Sequence, residues 1–310
     1  MDCPPPAGPQ ADGLAHRAVM PNEVSSLLEP SSRHVFLDCT IGLAGHAELL
    51  LRQGPADAML IGMDVDEGNL ARAKDRLAPF APRVRLFQAN FAQADAVLEQ
   101  AGLKSVDALL ADLGIASSQL DDPRRGLSFM VDGPLDMRLD ARIARTAGDL
   151  VNSLGETELA DLIYQYGQER YSRRIARAIV IARKASRIER TMELARIVES
   201  AMPAPVRRQR HGVHPATRTF QALRIAVNDE MGSLDRLLAM LPRLMGVGGH
   251  AAIISFHSLE DRRVKQAFAA WASSGAAALL TKKPLTASED EVRQNPRSRS
   301  AKLRAIKRIS

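Results

Sequence analysis

The sequence predicts an α/β fold organised on a doubly wound parallel sheet, and three observations carry that prediction. Short apolar runs at 35–38, 59–64, 83–88 and 106–112 alternate with segments of helical period at 45–53, 67–78 and 92–101. That order is expected of strands joined by crossover helices. The runs at 59–64 and 106–112 are apolar at successive positions, the pattern of strands covered on both faces. Three runs end in an acid, Asp38, Asp64 and Asp112, and in such sheets ligands bind beyond the carboxyl ends of the strands.

The first unit organises the rest. VFLDCTIGLAGH, residues 35–46, reads as a strand, a glycine turn and a helix N-terminus. Such a junction presents unpaired backbone N–H groups, and glycine lets a ligand approach closely. Asp64, at the end of the second strand, is placed to accept the hydroxyls of a ribose. The turn is not the G-x-G-x-x-G fingerprint, and it has neither a third glycine nor a P-loop lysine for a pyrophosphate. A single nucleoside with a cationic or neutral tail fits better than a dinucleotide, and S-adenosylmethionine is such a ligand. Taken alone, the glycine turn could equally be a plain αβ connection.

The third strand leads to Phe91, which could stack on an adenine or belong to the core; spacing favours the core. The fourth strand ends in Asp112, followed by Gly114, Ser117, Ser118 and Gln119. In a doubly wound methyltransferase this strand end faces the transferred methyl group and the target nucleophile. The exocyclic amine of a base is a poor nucleophile, because its lone pair is delocalised into the ring. A positioned acceptor for its N–H raises its reactivity as the new bond forms. Asp112 or a neighbouring carbonyl could be that acceptor; the competing reading of Asp112 is a helix N-cap.

Before the sheet, residues 1–13 read as a disordered, proline-rich tail, and 22–28 as a helix capped by Asn22. After it, 125–140 reads as an ordered loop over the active face. The period then turns helical at 147–154, 157–166, 169–184 and 191–202, with Thr157 as a capped start. This block, 136–211, is expected to be an inserted helical subdomain for RNA recognition. The sheet domain is then expected to comprise 14–135 and 212–310. Arg170, Arg173, Arg174 and Arg177 fall on one helical face that could grip phosphates or simply be solvated. A basic loop at 207–211 and a helix through 219–226 follow, then a helix at 233–244 and a turn at 246–249. The sheet resumes at 250–256 and ends in His257, expected on the same edge as Asp112, before a helix at 260–271. Trp271 reads as a packing residue. Residues 301–309 alternate as a final edge strand with a basic outer face.

Bulk properties bound the function. With 45% apolar residues in 310, the chain can bury a substantial core. The net charge of +6 comes from 42 Lys and Arg against 36 Asp and Glu, and the excess crowds into 170–224 and 282–308. A polyanionic partner fits such patches. Two cysteines make neither a disulfide framework nor a zinc site, so a reducing cytoplasm is expected. The start MDCPPPAGPQADG does not read as a signal peptide, and no run approaches a membrane span.

Seven blocks, in order, carry a resemblance over about 16–304: DCTIGLAGH, DLGIASSQLD, RGLSF, DGPLDMRLD, HPATRTFQALRIAVN, ISFHSLEDRRVK and NPRSRSAKLR. In these the chain closely resembles the 16S ribosomal RNA cytosine-N4 methyltransferases, the RsmH or MraW family. The resemblance implies a Rossmann-like class I S-adenosylmethionine-dependent methyltransferase fold with an inserted all-helical subdomain. It implies methyl transfer to N4 of cytidine 1402 in the decoding centre, with 16S rRNA or the small ribosomal subunit as partner. Cofactor contacts carry over to Ala44, Gly45, His46, Asp64, Phe91, Asp112 and Gln119, while Asp112, Ser117 and His257 are the expected catalytic group. No metal is expected, and monomer and homodimer both stay open. The chain departs from the family pattern at Ala44, Ala47, Ala116 and Ser118. A non-catalytic RNA-binding assembly factor on the same scaffold is the alternative, and it would need a broken nucleoside pocket. A DNA N4-cytosine or N6-adenine enzyme would resemble (D/N/S)-P-P-Y after the fourth strand, which Asp112-Leu113-Gly114-Ile115 does not.

Overall fold

The computed structural model describes residues 18–207 and 214–310. The expected tail at 1–13 and most of the basic loop at 207–211 lie outside the described residues. Eight strands form one sheet: β1 (Val35–Asp38), β2 (Met59–Asp64), β3 (Val84–Gln88), β4 (Val106–Asp112), β5 (Met245–Ser255), β6 (Ala277–Leu279), β7 (Leu285–Thr286) and β8 (Lys302–Arg308). Their order is β3-β2-β1-β4-β5-β8-β6, with β7 also on β8. Strands β1 to β5 run parallel, and β8 runs antiparallel to β5, β6 and β7.

Helices cover both faces of this sheet. On one side are α1 (Pro21–Leu28), α2 (Gly45–Gln53) and α3 (Glu67–Arg76). On the other are α4 (Ala94–Gln100), α12 (Glu230–Leu244) and α13 (Ser258–Ser273). Period-two alternation along each strand divides the core between them. Phe36, Leu60, Leu110 and Ile254 pack with α1 and α2. Leu37, Ile61, Leu109 and Ile253 pack with α4, α12 and α13. These side chains are 0–1% exposed, and each is worth roughly 1.5–3 kcal/mol of transfer free energy. Trp271 packs against the second of these cores, as expected.

A third core is built mainly from helices. It draws on α6 (Ala147–Ser153), α7 (Glu156–Gly167), α8 (Ser172–Ala182), α9 (Thr191–Ala201) and α11 (Thr217–Val227). Leu127, Leu135 and Met137 of the 125–140 loop join it, as do Phe220, Leu223 and Val227 of α11. Three short helices complete the chain, α5 (Ser117–Leu120), α10 (Ala204–Arg207) and α14 (Glu289–Gln294).

Several local expectations are corrected. Helix α1 begins at Pro21 behind a left-handed Met20, so Asn22 lies inside it and caps nothing. Proline is pre-set for the first helical position, and it takes that place. Helix α7 starts at Glu156, and the Glu158 carboxylate accepts the Gly155 N–H; Thr157 is interior. Arg170 precedes α8, where its guanidinium lies 4.7 Å from the Tyr171 ring centre. Strand β5 already begins at Met245, where a turn was expected, with an irregularity opposite 106–108.

The largest correction concerns the C-terminus. Strand β8 is not an edge: it is inserted between β5 and β6, with Leu303, Ala305 and Ile306 buried. Its Arg304 is 7% exposed and donates to Asp261 at 2.7 Å. Alternation of basic and apolar residues looked like a solvated face, whereas an aspartate on α13 makes that face interior.

Candidate active site

Register brings the three acid-tipped strands together. Asp38 sits opposite Gly62 on one side and Leu110 on the other. Asp64 and Asp112 each lie two residues further along those neighbouring strands, hence on the same face. All three line one cleft of ≈1670 Å³. Small-ligand pockets span roughly 300–1,000 Å³, so this cleft has room for two reactants.

Burial sets the electrostatics. It pushes the Asp38 carboxyl up to about 7 against the Thr40 N–H, with the charges of Asp112 and Asp64 adding to the rise. Burial likewise raises Asp112 to about 7, opposed by the Gly114 N–H and assisted by Glu260. Asp64 rises to about 6, held back by the Asp66 N–H, the Asn69 side chain and the Gly42 N–H. Clustered carboxyls with little water form a site for a cation.

The 39–46 loop is drawn against β2. The Ile41 N–H donates to Met63 O at 2.8 Å, and the Ile41 side chain fills the space beside Gly62. A Cβ on Gly62 would lie 2.2 Å from Ile41 Cδ1 and 2.8 Å from Leu86 Cδ2, so a larger residue there would force both side chains to shift. Asp64 accepts from Gly42 N at 3.0 Å, Asn69 Nδ2 at 3.2 Å and Asp66 N at 2.9 Å. A carboxylate has about four acceptor sites, which leaves one for a ligand hydroxyl.

Of the expected cofactor contacts, Gly45, His46, Asp64, Phe91, Asp112 and Gln119 line the cleft. Ala44 does not. It is fully buried in the left-handed region at φ 61°, its N–H bonded to Ile41 O, so its part is to shape the loop. His46 is buried with Nε2 3.8 Å from Asp112 Oδ2. The Phe91 ring packs on the α4 side of the core and also lines the cleft.

At the end of β4, Thr40 Oγ1 accepts the Asp112 N–H at 2.7 Å. Asp112 Oδ1 is buried and has no donor among the described residues. Its α-helical alternative does not hold: α5 starts only at Ser117. The Ser117 side chain lies outside what the structure describes. Gln119 is a tether, with Oε1 accepting Ala116 N–H at 3.1 Å and Nε2 donating to Asp66 Oδ2 at 2.9 Å. Arg125 reaches the same Asp66 carboxylate at 2.5 Å, linking β2, α5 and the 125–140 loop. Asp66, which also caps α3, had no signal in the sequence beyond its place in V-D-E-G.

At the end of β5, His257 caps α13 and lines the cleft beside Asp112, since β4 and β5 are parallel. Glu260 is 2% exposed and accepts the Phe256 and His257 N–H groups through Oε2. Nearby, Arg224 grips Glu230 with two bonds of 2.7 and 2.8 Å. Glu230, His257 and Glu260 place ligand atoms within 4.8 Å of one another, the arrangement nearest to a metal set among the described residues. Both Glu230 oxygens are taken by Arg224, whose charge a cation there would face. Opposite stands an aromatic wall: Phe129 lies 4.9 Å from Phe220, edge-on, and 4.6 Å from His214. Neither phenylalanine was singled out from the sequence, because single aromatics in loops and helices read as core.

A mainly parallel, doubly wound sheet whose acid-tipped strands share one cleft is a Rossmann-like α/β fold with its ligand site beyond the strand ends. The chain belongs to the MraW methylase family, whose model matches residues 13–309. It is 47% identical to Ribosomal RNA small subunit methyltransferase H of Geobacter sulfurreducens, over 96% of this chain and 99% of that protein. Its identity to the Sorangium cellulosum protein of the same name is 48%, over 98% and 94% of the two chains. With that of Symbiobacterium thermophilum it is 46%, over 95% and 96%.

Proposed function

We propose that this chain transfers a methyl group from S-adenosylmethionine to N4 of cytidine 1402 in 16S rRNA of the small ribosomal subunit. The observation that carries this reading is the convergence of Asp38, Asp64 and Asp112 on one cleft large enough for a nucleoside cofactor and a target base.

The residues present fit the cofactor. Asp64 keeps an acceptor site for a ribose hydroxyl, Phe91 offers a ring to an adenine, and the buried carboxyls favour a sulfonium cation. S-adenosylmethionine bound there would supply an electrophilic methyl carbon, the sulfur–methyl bond breaking with its electron pair left on a neutral thioether. Asp112 Oδ1, buried without a donor, accepts the N4–H of cytosine. That hydrogen bond lends electron density to N4 as its bond to the methyl carbon forms, and the carboxylate takes the proton that N4 sheds. His46 Nε2 lies 3.8 Å from Asp112 Oδ2, and His257 lines the same cleft. Ala116 offers no hydroxyl, so the acceptor role falls to the carboxylate.

We assign the helical block built on α6 to α9 to RNA recognition. Arg173, Arg174 and Arg177 are exposed on α8 and have no ion pair among the described residues. Such side chains suit phosphates, which position an RNA without reading it. The cytoplasm is the compartment this substrate requires, and no helix among the described residues is long and apolar enough to cross a membrane.

The test is methyl transfer to small subunits purified from a strain lacking the modification. Mass spectrometry of the decoding-centre fragment should show one methyl gained at N4. Absence of that gain, with cofactor binding intact by calorimetry, would leave an RNA-binding assembly factor instead.

A further inference from the structure

The 125–140 loop carries a feature that cofactor and base binding leave unused. Met130 and Val131 are 81% and 60% exposed at a turn tip, directly after Phe129 in the cleft wall. Exposing two large apolar side chains to water is unfavourable unless something covers them.

The tip is held rigidly. Asp132 accepts the Met192 N–H at 3.1 Å and Arg190 Nε at 2.8 Å. The Gly133 N–H donates to Thr191 Oγ1 at 3.0 Å, and the Thr191 N–H returns to Gly133 O at 2.9 Å. At its base Gly126 adopts φ +62°, where a Cβ would lie 2.0 Å from Pro134 O. The strand-like pairing of Pro134 with Arg190 ties the loop to the helical block. The tip therefore cannot fold back onto the protein to hide its apolar side chains.

We propose that Met130 and Val131 form a wedge that enters the base stack of the RNA and fills the space left by the extruded target cytidine. This rests on the functional reading above. An enzyme acting on a base inside a helix extrudes it from the stack, and apolar side chains pushed between base steps hold such a kink open. Phe129, one residue before the tip, lines the cleft that would receive the swung-out base. Arg190, beside the tip, is held by Asp132 at 2.8 Å, and Arg124, just before the loop, by Asp122 at 2.9 Å, so either would have to exchange its carboxylate for a phosphate to contact the RNA. Two side chains on a narrow turn match a single base gap, whereas a specific protein interface buries about 800 Å² on each partner.

The test compares M130S/V131S and the conservative M130L/V131I with the unmodified enzyme. Both sites are exposed, so the substitutions leave the fold intact. On methyl-free small subunits the serine pair should lose ten-fold or more in kcat/KM. The conservative pair should stay within two-fold, and cofactor affinity should not change. On a protein-free RNA hairpin with 2-aminopurine beside the target cytidine, the unmodified enzyme should raise the fluorescence by unstacking the probe. The serine pair should raise it less than half as much. Undiminished turnover by the serine pair overturns the proposal. Lost turnover with an undiminished fluorescence rise also overturns it and points to a contact with a protein of the subunit. If the unmodified enzyme methylates nothing, the functional reading fails, and the fluorescence comparison still decides the wedge.

Discussion

Asp38→Asn isolates the physical idea behind the cleft. Asp38 is 2% exposed, and burial lifts its carboxyl from 3.8 to about 7. At pH 8 both the folded and unfolded forms are ionised, and the folded form carries the buried charge. Three units correspond to roughly 4 kcal/mol of destabilisation at 1.36 kcal/mol per unit. Asparagine removes the charge and keeps an oxygen for the Thr40 N–H, which Asp38 Oδ1 now accepts at 3.1 Å. Its new amide donor is buried at a cost of about 1–3 kcal/mol, so a net gain of about 1–3 kcal/mol is expected at pH 8. The sign follows from proton binding. A folded-state value above the unfolded one means that the native protein holds the extra proton between pH 4 and 7. Wild-type stability from this group is therefore complete below about 4 and is lost as pH rises through 7. At pH 5 the penalty relieved is only about 2 kcal/mol, comparable to the cost of the buried amide, and the variant should lose its advantage. Thermal unfolding at both pH values measures this, at roughly 2–4 °C per kcal/mol in a domain of this size. Calorimetry with S-adenosylmethionine should show weaker binding, because the cation loses part of its negative surroundings. A variant less stable than wild type at pH 8, or equally shifted at both pH values, would refute this account.

Asp112→Asn should lower kcat by about 10²–10⁴-fold, the usual contribution of a positioned base, while calorimetric cofactor affinity changes only a few-fold. In wild type kcat/KM should climb with pH and level off above about 7, since the carboxylate must be ionised to accept a proton; a flat profile from pH 6 to 8 removes Asp112 from the role. Asp64→Ala should weaken cofactor binding ten-fold or more and leave RNA binding by filter assay unchanged, because it frees the Gly42 and Asn69 donors and deletes the ribose acceptor. Arg224→Met strands the largely buried Glu230 charge and should cost about 3–5 kcal/mol in urea unfolding; adding Glu230→Gln should recover most of it, and no recovery would mean the pair is not the cause. Arg173→Ala should reduce the slope of log affinity against log salt by about one and leave the melting temperature unchanged.

The local pattern of this chain was legible wherever a signal lay within one element. Apolar runs bounded by Asp38, Asp64 and Asp112 marked three strands to within a residue, since a strand buried on both faces has to be apolar along its length. The Gly42–Gly45 turn and the helix after it followed from backbone freedom alone. Helix boundaries at α1 and α7 were misjudged because a Pro21 or a Gly155 can open a helix as well as the polar side chains beside them. The amphipathic segments of 147–202 were recognisable as helices from their period.

Partners distant in sequence were not legible. Nothing near Gln119 announces Asp66, 53 residues earlier, and nothing near Arg304 announces Asp261, which turns an apparent solvated edge into the interior of the sheet. The opposed Phe129 and Phe220 come from a loop and a helix that meet only through the packing of the helical block. Hydrophobic period and turn chemistry are short-range and act residue by residue, so they are written along the chain. Strand order, the burial that lifts three carboxyls, and the rigid tip bearing Met130 depend on which surfaces exclude water together, and that was decided only when the whole chain packed.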